Sequence, residues 1–301
     1  MRNNCQLAAE VKDKKSGQAR KTTGKPQHSK DNDIERLLPR EVAYADDVDF
    51  VSLEFVKVEE VQKALERHRL FVNVDKTDFM TLSRNAKDWR ETKSKKVGSL
   101  IGDKEDVERR KQLSTAALLK LRNIWIGGDK IKRDTKIKLY RALVQSILTY
   151  NCGTWALTQT EEDKLDAFHR KQLKQILNIK YPVKIKNESL YKKCNEKHLS
   201  LHILESRWRL FGHILRRDIE IPANKSMEAY FVCKGEKFLG RPITTLPNVL
   251  NKDLSRLATG ELRLKTNEDL DHLRSIAQDR QQWKGLTTKI REAAEASRSE
   301  D

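Results

Sequence analysis

"EVAYADDVDFVSL", residues 41–53, sets two adjacent carboxylates, Asp46 and Asp47, between two runs of β-branched and aromatic residues. Such runs favour strands, so the stretch reads as a hairpin of strands 42–44 and 48–53 with the carboxylates at its tip. Aspartate is a common turn residue, because its short side chain bonds the backbone two residues on. The alternative is chemical. Two rigidly held carboxylates are hard oxygen ligands, and Mg²⁺ takes one or two of these with water and phosphate oxygens completing its octahedron. The surrounding sequence has to decide.

The chain of 301 residues carries a formal net charge of +17, with a pI near 9.6. Charged residues make up 35% and hydrophobic residues 37%, so acids are plentiful and the charge is a surplus on a folded chain rather than a basic tail. A surplus of that kind suits a polyanion. The four cysteines, Cys5, Cys152, Cys194 and Cys233, form no CxxC pair, which points away from a zinc ribbon and from a secreted disulfide framework. No apolar run reaches the roughly 20 residues of a spanning helix, and the first residues lack the apolar stretch of a signal peptide. A soluble intracellular protein, nuclear or cytoplasmic, with no membrane partner is expected.

Residues 1–40 are nearly free of aromatics and rich in Lys, Gln, Ser and Asn, the composition of a disordered or briefly helical segment. Residues 41–102 alternate strand and helix signals: the hairpin, a helical "VEEVQKALERHRL", a strand-like "FVNVDKTDFMTL" and the short apolar "KKVGSLIGD". Helical spacing then dominates. A helix over 103–126 begins with Asp103 as its cap and stops at Gly127-Gly128; another over 133–150 carries Ile137, Tyr140, Val144, Ile147 and Leu148 on one stripe. Thr160 with Asp163 resembles a capping box opening a third. A long amphipathic stretch spans 190–217, an irregular one 235–250, and two short helices are expected at about 267–277 and 278–296.

Cys194, His198 and His202 fall at i, i+4 and i+8, which would stack three potential metal ligands on one helix face, but three ligands do not complete a site and no metal is assigned there. Between Lys164 and Arg217 the sequence has 14 Lys or Arg against 4 Asp or Glu. Helices so charged can track a phosphate backbone, with Lys171 and Lys174 as representative contacts. The aromatics there, Phe168, Trp208 and Phe211, share the apolar stripe and read as core, as do Trp125 and Trp155. No phosphate-loop, GxSxG or HExxH pattern occurs.

Taken in order, these segments resemble the C-terminal part of the reverse transcriptases of non-LTR (LINE-type) retrotransposons. "AYADD" at 43–47 resembles their catalytic palm hairpin, "NVDKTDFMTL" at 73–82 the next palm strand, and "KKVGSLIGD" at 95–103 the primer grip. The stretch 103–150 is similar to the thumb; "LDAFHRKQLKQILNI", "RWRLFGHILRR", "GRP" and "DRQQW" resemble the connection region downstream. The resemblance implies an α+β fold: a partial polymerase palm at 41–102, a small antiparallel sheet plus helix, then a mainly helical thumb at 103–158 and a basic helical C-terminal region at 159–301. It implies Asp46 and Asp47 as ligands of Mg²⁺ or Mn²⁺ and Lys76 as proton donor to pyrophosphate. Tyr44 would lie under the primer terminus, and Val97 and Gly98 would hold the primer. The implied partners are an RNA template and a DNA primer or target.

The family's metal site also takes an aspartate from an earlier palm strand, and its fingers precede the hairpin too. Residues 1–40 offer no apolar strand carrying an aspartate. The expectation is therefore a truncated RNA-directed DNA polymerase, inactive alone; the alternative is a non-catalytic basic module that binds nucleic acid.

Overall fold

The computed structural model of the chain describes residues 4–7, 41–44, 47–50, 58–67, 69, 71, 95–96, 99–100, 102–126, 131–232, 244–257, 260 and 262–299. The chain divides into two compact units, Met1–Gly98 with Asp218–Glu236, and Ser99–Arg217 with Lys237–Asp301. In the first unit β1 (Asn4–Leu7), β2 (Glu41–Tyr44) and β3 (Asp47–Phe50) pair in the order β1-β3-β2. Val42, Tyr44, Val48 and Phe50 alternate with Glu41, Ala43, Asp47 and Asp49, the two-residue period of a strand. β2 and β3 are antiparallel with Tyr44 opposite Asp47, while β1, within the stretch whose composition suggests disorder, runs parallel to β3. The first unit also holds α1 (Val58–Arg67) and, with proline at its first position, a helix at Pro222–Val232. The expected strand at 73–82 and residues 51–53 lie outside the described residues, and β4 (Lys95–Lys96) and β5 (Ser99–Leu100) flank residues 97–98, which do too.

Helices make up the second unit: α2 (Asp103–Lys120), α3 (Arg122–Ile126), α4 (Arg133–Tyr140), α5 (Gln159–Ile176), α6 (Asn187–Cys194) and α7 (Leu199–Leu215). With Pro222–Val232 counted as α8, the series ends in α9 (Leu246–Leu254), α10 (Asn267–Gln278) and α11 (Arg280–Ser299). α4 passes through a π-helical turn, Arg141–Gln145, into a last turn at Ser146–Leu148. Ile137, Tyr140, Val144 and Leu148 are buried as the stripe predicts, and Ile147 is half-buried at its edge.

Two apolar clusters bind these helices. Ile137, Tyr140 and Val144 pack with Leu118, Trp125, Leu173 and Ile176 in one. In the other, Val107, Leu148 and Trp155 pack with Leu165, Leu199 and Ile203. Both clusters join residues from either side of 158, where the resemblance draws a border. Polar side chains cross-link the same helices: Tyr140 Oη donates to Gln172 Oε1 at 2.8 Å, Gln172 Nε2 to Ser114 Oγ at 3.2 Å, and Trp155 Nε1 to Asp106 Oδ2 at 3.1 Å.

Several expected boundaries shift. Asp103 is the first helical residue rather than the cap, which is Gly102; its carboxylate instead accepts the Ala156 N–H at 3.0 Å, and burial raises its pKa. The capping box of α5 is Thr158 with Glu161, not Thr160 with Asp163: Glu161 Oε2 accepts from Thr158 N at 2.9 Å. The stretch 190–217 is two helices, because Asn195 adopts a left-handed conformation (φ 47°) that ends α6. Within the stretch expected to be irregular, Thr245 caps α9 and Pro247 sits in its first turn. Gly127 and Gly128 lie outside the described residues.

α7, α9, α5 and α11 meet around buried charge. Arg207, 1% exposed, donates Nη1 to Asp253 Oδ2 at 3.0 Å and lies 3.6 Å from Glu162 Oε1. Trp208 Nε1 donates to the same Asp253 oxygen at 3.1 Å. Arg298 bridges Glu162 at 3.0 Å and Asp166 at 2.7 Å, tying α11 to α5. Beside this junction Trp283 of α11 lies across Gly212 of α7, where an added Cβ would stand 2.1 Å from the indole nitrogen. That nitrogen donates to the Trp208 carbonyl at 3.0 Å.

Removing one partner of a buried pair strands the other charge, so Arg207→Ala is expected to cost roughly 3–5 kcal/mol in urea unfolding. Gly212→Ala overpacks the indole and is expected to cost about 1–3 kcal/mol, whereas Gly285→Ala, with open space at its Cβ position, stabilises the helix slightly.

Candidate nucleic-acid interface

α5 has polar residues on both sides, and they do opposite things. Inward, Asp166 accepts from Ser200 N at 2.9 Å, Ser200 Oγ at 2.8 Å and Arg298, with His198 Nδ1 at 3.3 Å. Burial raises the pKa of this carboxyl, but the bonds from His198 and Ser200 and the Arg298 charge outweigh it and hold it below the usual range. Glu162 is the converse: burial lifts its pKa in spite of Arg207 and Arg298. Outward, Lys164 and Lys171 are exposed seven residues apart on one face, with Lys174 half-buried beside them. Lys174 lines a cavity of about 200 Å³ floored by Leu118 and Trp125 and rimmed by Arg122 and Lys180.

Asn178, left-handed at φ 53°, ends α5 and leads to the loop before α6. There Lys180, Lys184 and Lys186 are exposed, and Tyr181 is 94% exposed. An aromatic ring standing in solvent among lysines can stack on a nucleobase while the ammonium groups meet phosphates. Helical periodicity does not single out this ring; its signal in the sequence is an aromatic within a lysine-rich segment that lacks an apolar stripe. Trp208 and Phe211 are fully buried as expected, and Phe168 is half-buried with Lys111 Nζ 5.9 Å from its ring centre.

Of the residues assigned to chemistry, Tyr44 and Asp47 face each other across the β2–β3 ladder, leaving residues 45 and 46 to connect the strands. Asp46, Lys76, Val97 and Gly98 lie outside the described residues. Tyr44 and Asp47 belong to the first unit, Lys171 and Lys174 to the second. Cys194, His198 and His202 do not stack, because the break at Asn195 separates them: burial pushes the Cys194 thiol up to about 11, and His202 pairs with Glu196 at 3.5 Å. Among the described residues no three His, Cys, Asp or Glu side chains are grouped to hold a metal ion, and no helix is long and apolar enough to cross a membrane.

Comparison with family models, with curated proteins and with solved structures returns no match to this chain. The functional reading therefore stands on the residues themselves.

The inward face of α5 also supplies a pH response. His169 is fully buried between Tyr140 (ring centres 5.9 Å apart) and Tyr191 (6.1 Å), and neither ring nitrogen has a hydrogen-bond partner. Burial lowers its pKa to about 4, against the raising influence of Glu196 and Asp166; His202 and His198 add to the lowering. A histidine whose folded pKa lies below its unfolded value contributes stability above about pH 6.5 that is lost as pH falls towards 4, here on the order of 3 kcal/mol. His169→Phe is expected to flatten that limb when unfolding free energy is measured from pH 7 to pH 4; an unchanged limb would place the acid sensitivity elsewhere.

Proposed function

We propose that this chain carries the catalytic hairpin, thumb and connection parts of an RNA-directed DNA polymerase of the non-LTR retrotransposon kind, and that its helical unit holds the nucleic acid. The observation that supports this most is the β2–β3 register. With Tyr44 opposite Asp47, only residues 45 and 46 connect the strands, so the aspartate pair falls at the hairpin tip. In this reading β2, β3 and α1 belong to a polymerase palm and α2 to α4 to its thumb.

The donor chemistry fits the metal: adjacent carboxylates are what Mg²⁺ or Mn²⁺ prefers. Such ions, when bound, activate a primer 3′ hydroxyl and neutralise charge on the departing pyrophosphate. Asp46 would be the ligand and Asp47 would support it, together with a further carboxylate that the hairpin does not supply. Lys76 would donate a proton to pyrophosphate, Tyr44 would lie under the primer terminus, and Val97 and Gly98 would hold the primer. RNA template and DNA primer or target are the partners.

A second reading, a non-catalytic nucleic-acid-binding module, is favoured by the exposed lysines of α5 and the Tyr181 loop. It uses positioning charges alone, so its affinity depends steeply on salt and little on sequence.

Primer extension on an RNA template with Mg²⁺ or Mn²⁺, run beside fluorescence anisotropy of a labelled RNA–DNA hybrid, separates the two. Incorporation abolished by Asp46→Ala identifies a working polymerase and overturns the expectation that the chain is inactive alone. Binding without incorporation, insensitive to Asp46→Ala but weakened about tenfold or more by Lys171→Glu with Lys174→Glu, excludes catalysis by this chain and identifies the α5 face as its binding surface. No binding even near 50 mM salt contradicts both.

A further inference from the structure

Beyond the α5 face, the second unit has a groove of about 920 Å³ along the seam where α7 meets α11. Leu210 and Trp283 line its floor, and beneath them lies the packing already described, Trp283 over Gly212 with Trp208 and Phe211 at ring-centre distances of 5.5 and 5.9 Å from Trp283. Its walls are cationic. Arg209 and Arg216 come from the α7 side, and Arg280, Lys284 and Arg291 from α11, against one carboxylate, Glu205.

The charges divide into those used by the fold and those that are not. Glu205 already pairs with Lys197 at 2.6 Å and Arg291 at 3.8 Å, and Arg216 Nη1 donates to the Ala277 carbonyl at 3.2 Å, closing the end of α10. Arg209, Arg280 and Lys284 are exposed and have no carboxylate at ion-pair distance among the described residues. Arg280 also stands on the first turn of α11, where the helix dipole disfavours cations. The N–H groups of that turn are occupied, since Asp279 Oδ1 accepts from Gln281 N at 2.7 Å and Gln282 N at 3.3 Å. The attraction for an anion therefore comes from the side chains. Three like charges lining one groove, one of them against a dipole, repel each other in the free protein and are relieved by a polyanion.

We propose that the α7–α11 groove binds a single strand of RNA or DNA by its phosphates. The proposal rests on the nucleic-acid reading above and locates a second contact surface for it. A seam between helices whose axes pack about 8–10 Å apart follows one backbone, whereas the two backbones of a duplex stand apart by a major groove about 12 Å wide, so both cannot enter it together. The contact is indifferent to sequence, because Trp283 is buried with its N–H committed to Trp208 and cannot stack a base.

The test is anisotropy of a labelled oligouridylate, and separately of an RNA–DNA duplex, over a range of salt, with the full chain. Arg280→Glu with Lys284→Glu should weaken the single strand at least tenfold, and the neutral pair Arg280→Gln with Lys284→Gln should reduce the salt slope by about 1.4, roughly 0.7 for each phosphate no longer neutralised. Both positions are exposed and the dipole favours glutamate at 280, so the variants should unfold at wild-type urea concentrations. Unchanged single-strand binding in the glutamate pair, with Lys171→Glu and Lys174→Glu still weakening it, overturns the groove and leaves the broader reading standing. Loss of duplex but not single-strand binding overturns the choice of ligand. Failure of the wild-type chain to bind either overturns the broader reading itself.

Discussion

Arg207 is the hinge of the helical unit. A guanidinium 1% exposed is tolerable only if its charge is answered, and it is answered by Asp253 from α9 and Glu162 from α5, with the Trp155 carbonyl 3.5 Å away. The geometry of that answer fixes four helices at once, because Asp253 also receives Trp208 and Arg256, and Glu162 also receives Arg298. Apolar packing alone would let neighbouring helices slide by a turn with modest penalty; a shared, buried set of charged bonds allows one register. Net stability from such a set is small, and its loss is costly.

The same junction has a consequence at the surface. In several of its pairs the carboxylate is deeper than the cation: side chains of Asp253 and Asp166 are 2% exposed, while those of Arg256 and Arg298 are 18% and 14%. Arg141 with Glu196 repeats the pattern at 43% against 2%. Acids turned inward and bases left nearer solvent make the exterior more positive than composition suggests. That exterior includes the α5 lysines, the Tyr181 loop and the α7–α11 groove, so the polar core and the interface are two outcomes of one partition of charge.

Much of this is legible in the sequence where one local period carries the information. The stripe of α4, the apolar face of α7 with Trp208 and Phe211, and the two terminal helices follow from 3.6-residue spacing. Phase is harder to read than period. Thr158 and Glu161 and Thr160 and Asp163 both have the spacing of a capping box, and the nearer one is chosen because burial of Trp155 and Leu157 fixes where the preceding turn ends. The break at Asn195 rests on one left-handed residue to which periodicity is blind. For the candidate site, Lys171 and Lys174 follow from charge density along one helix. The groove is different: its walls are some 70 residues apart in sequence and meet only because Trp283 finds Gly212, so no local pattern announces it.

If the helical unit presents its outward cations to nucleic acid, lysine footprinting reads that surface directly. The chain is acetylated briefly, alone and with saturating RNA–DNA hybrid carrying a single-stranded RNA overhang, and each lysine is followed by mass spectrometry. Lys171, Lys174, Lys184 and Lys284 are expected to lose reactivity on binding while Lys63 and Lys138 keep theirs. Binding that leaves those four lysines as reactive as in the free chain would contradict a nucleic-acid interface on this unit.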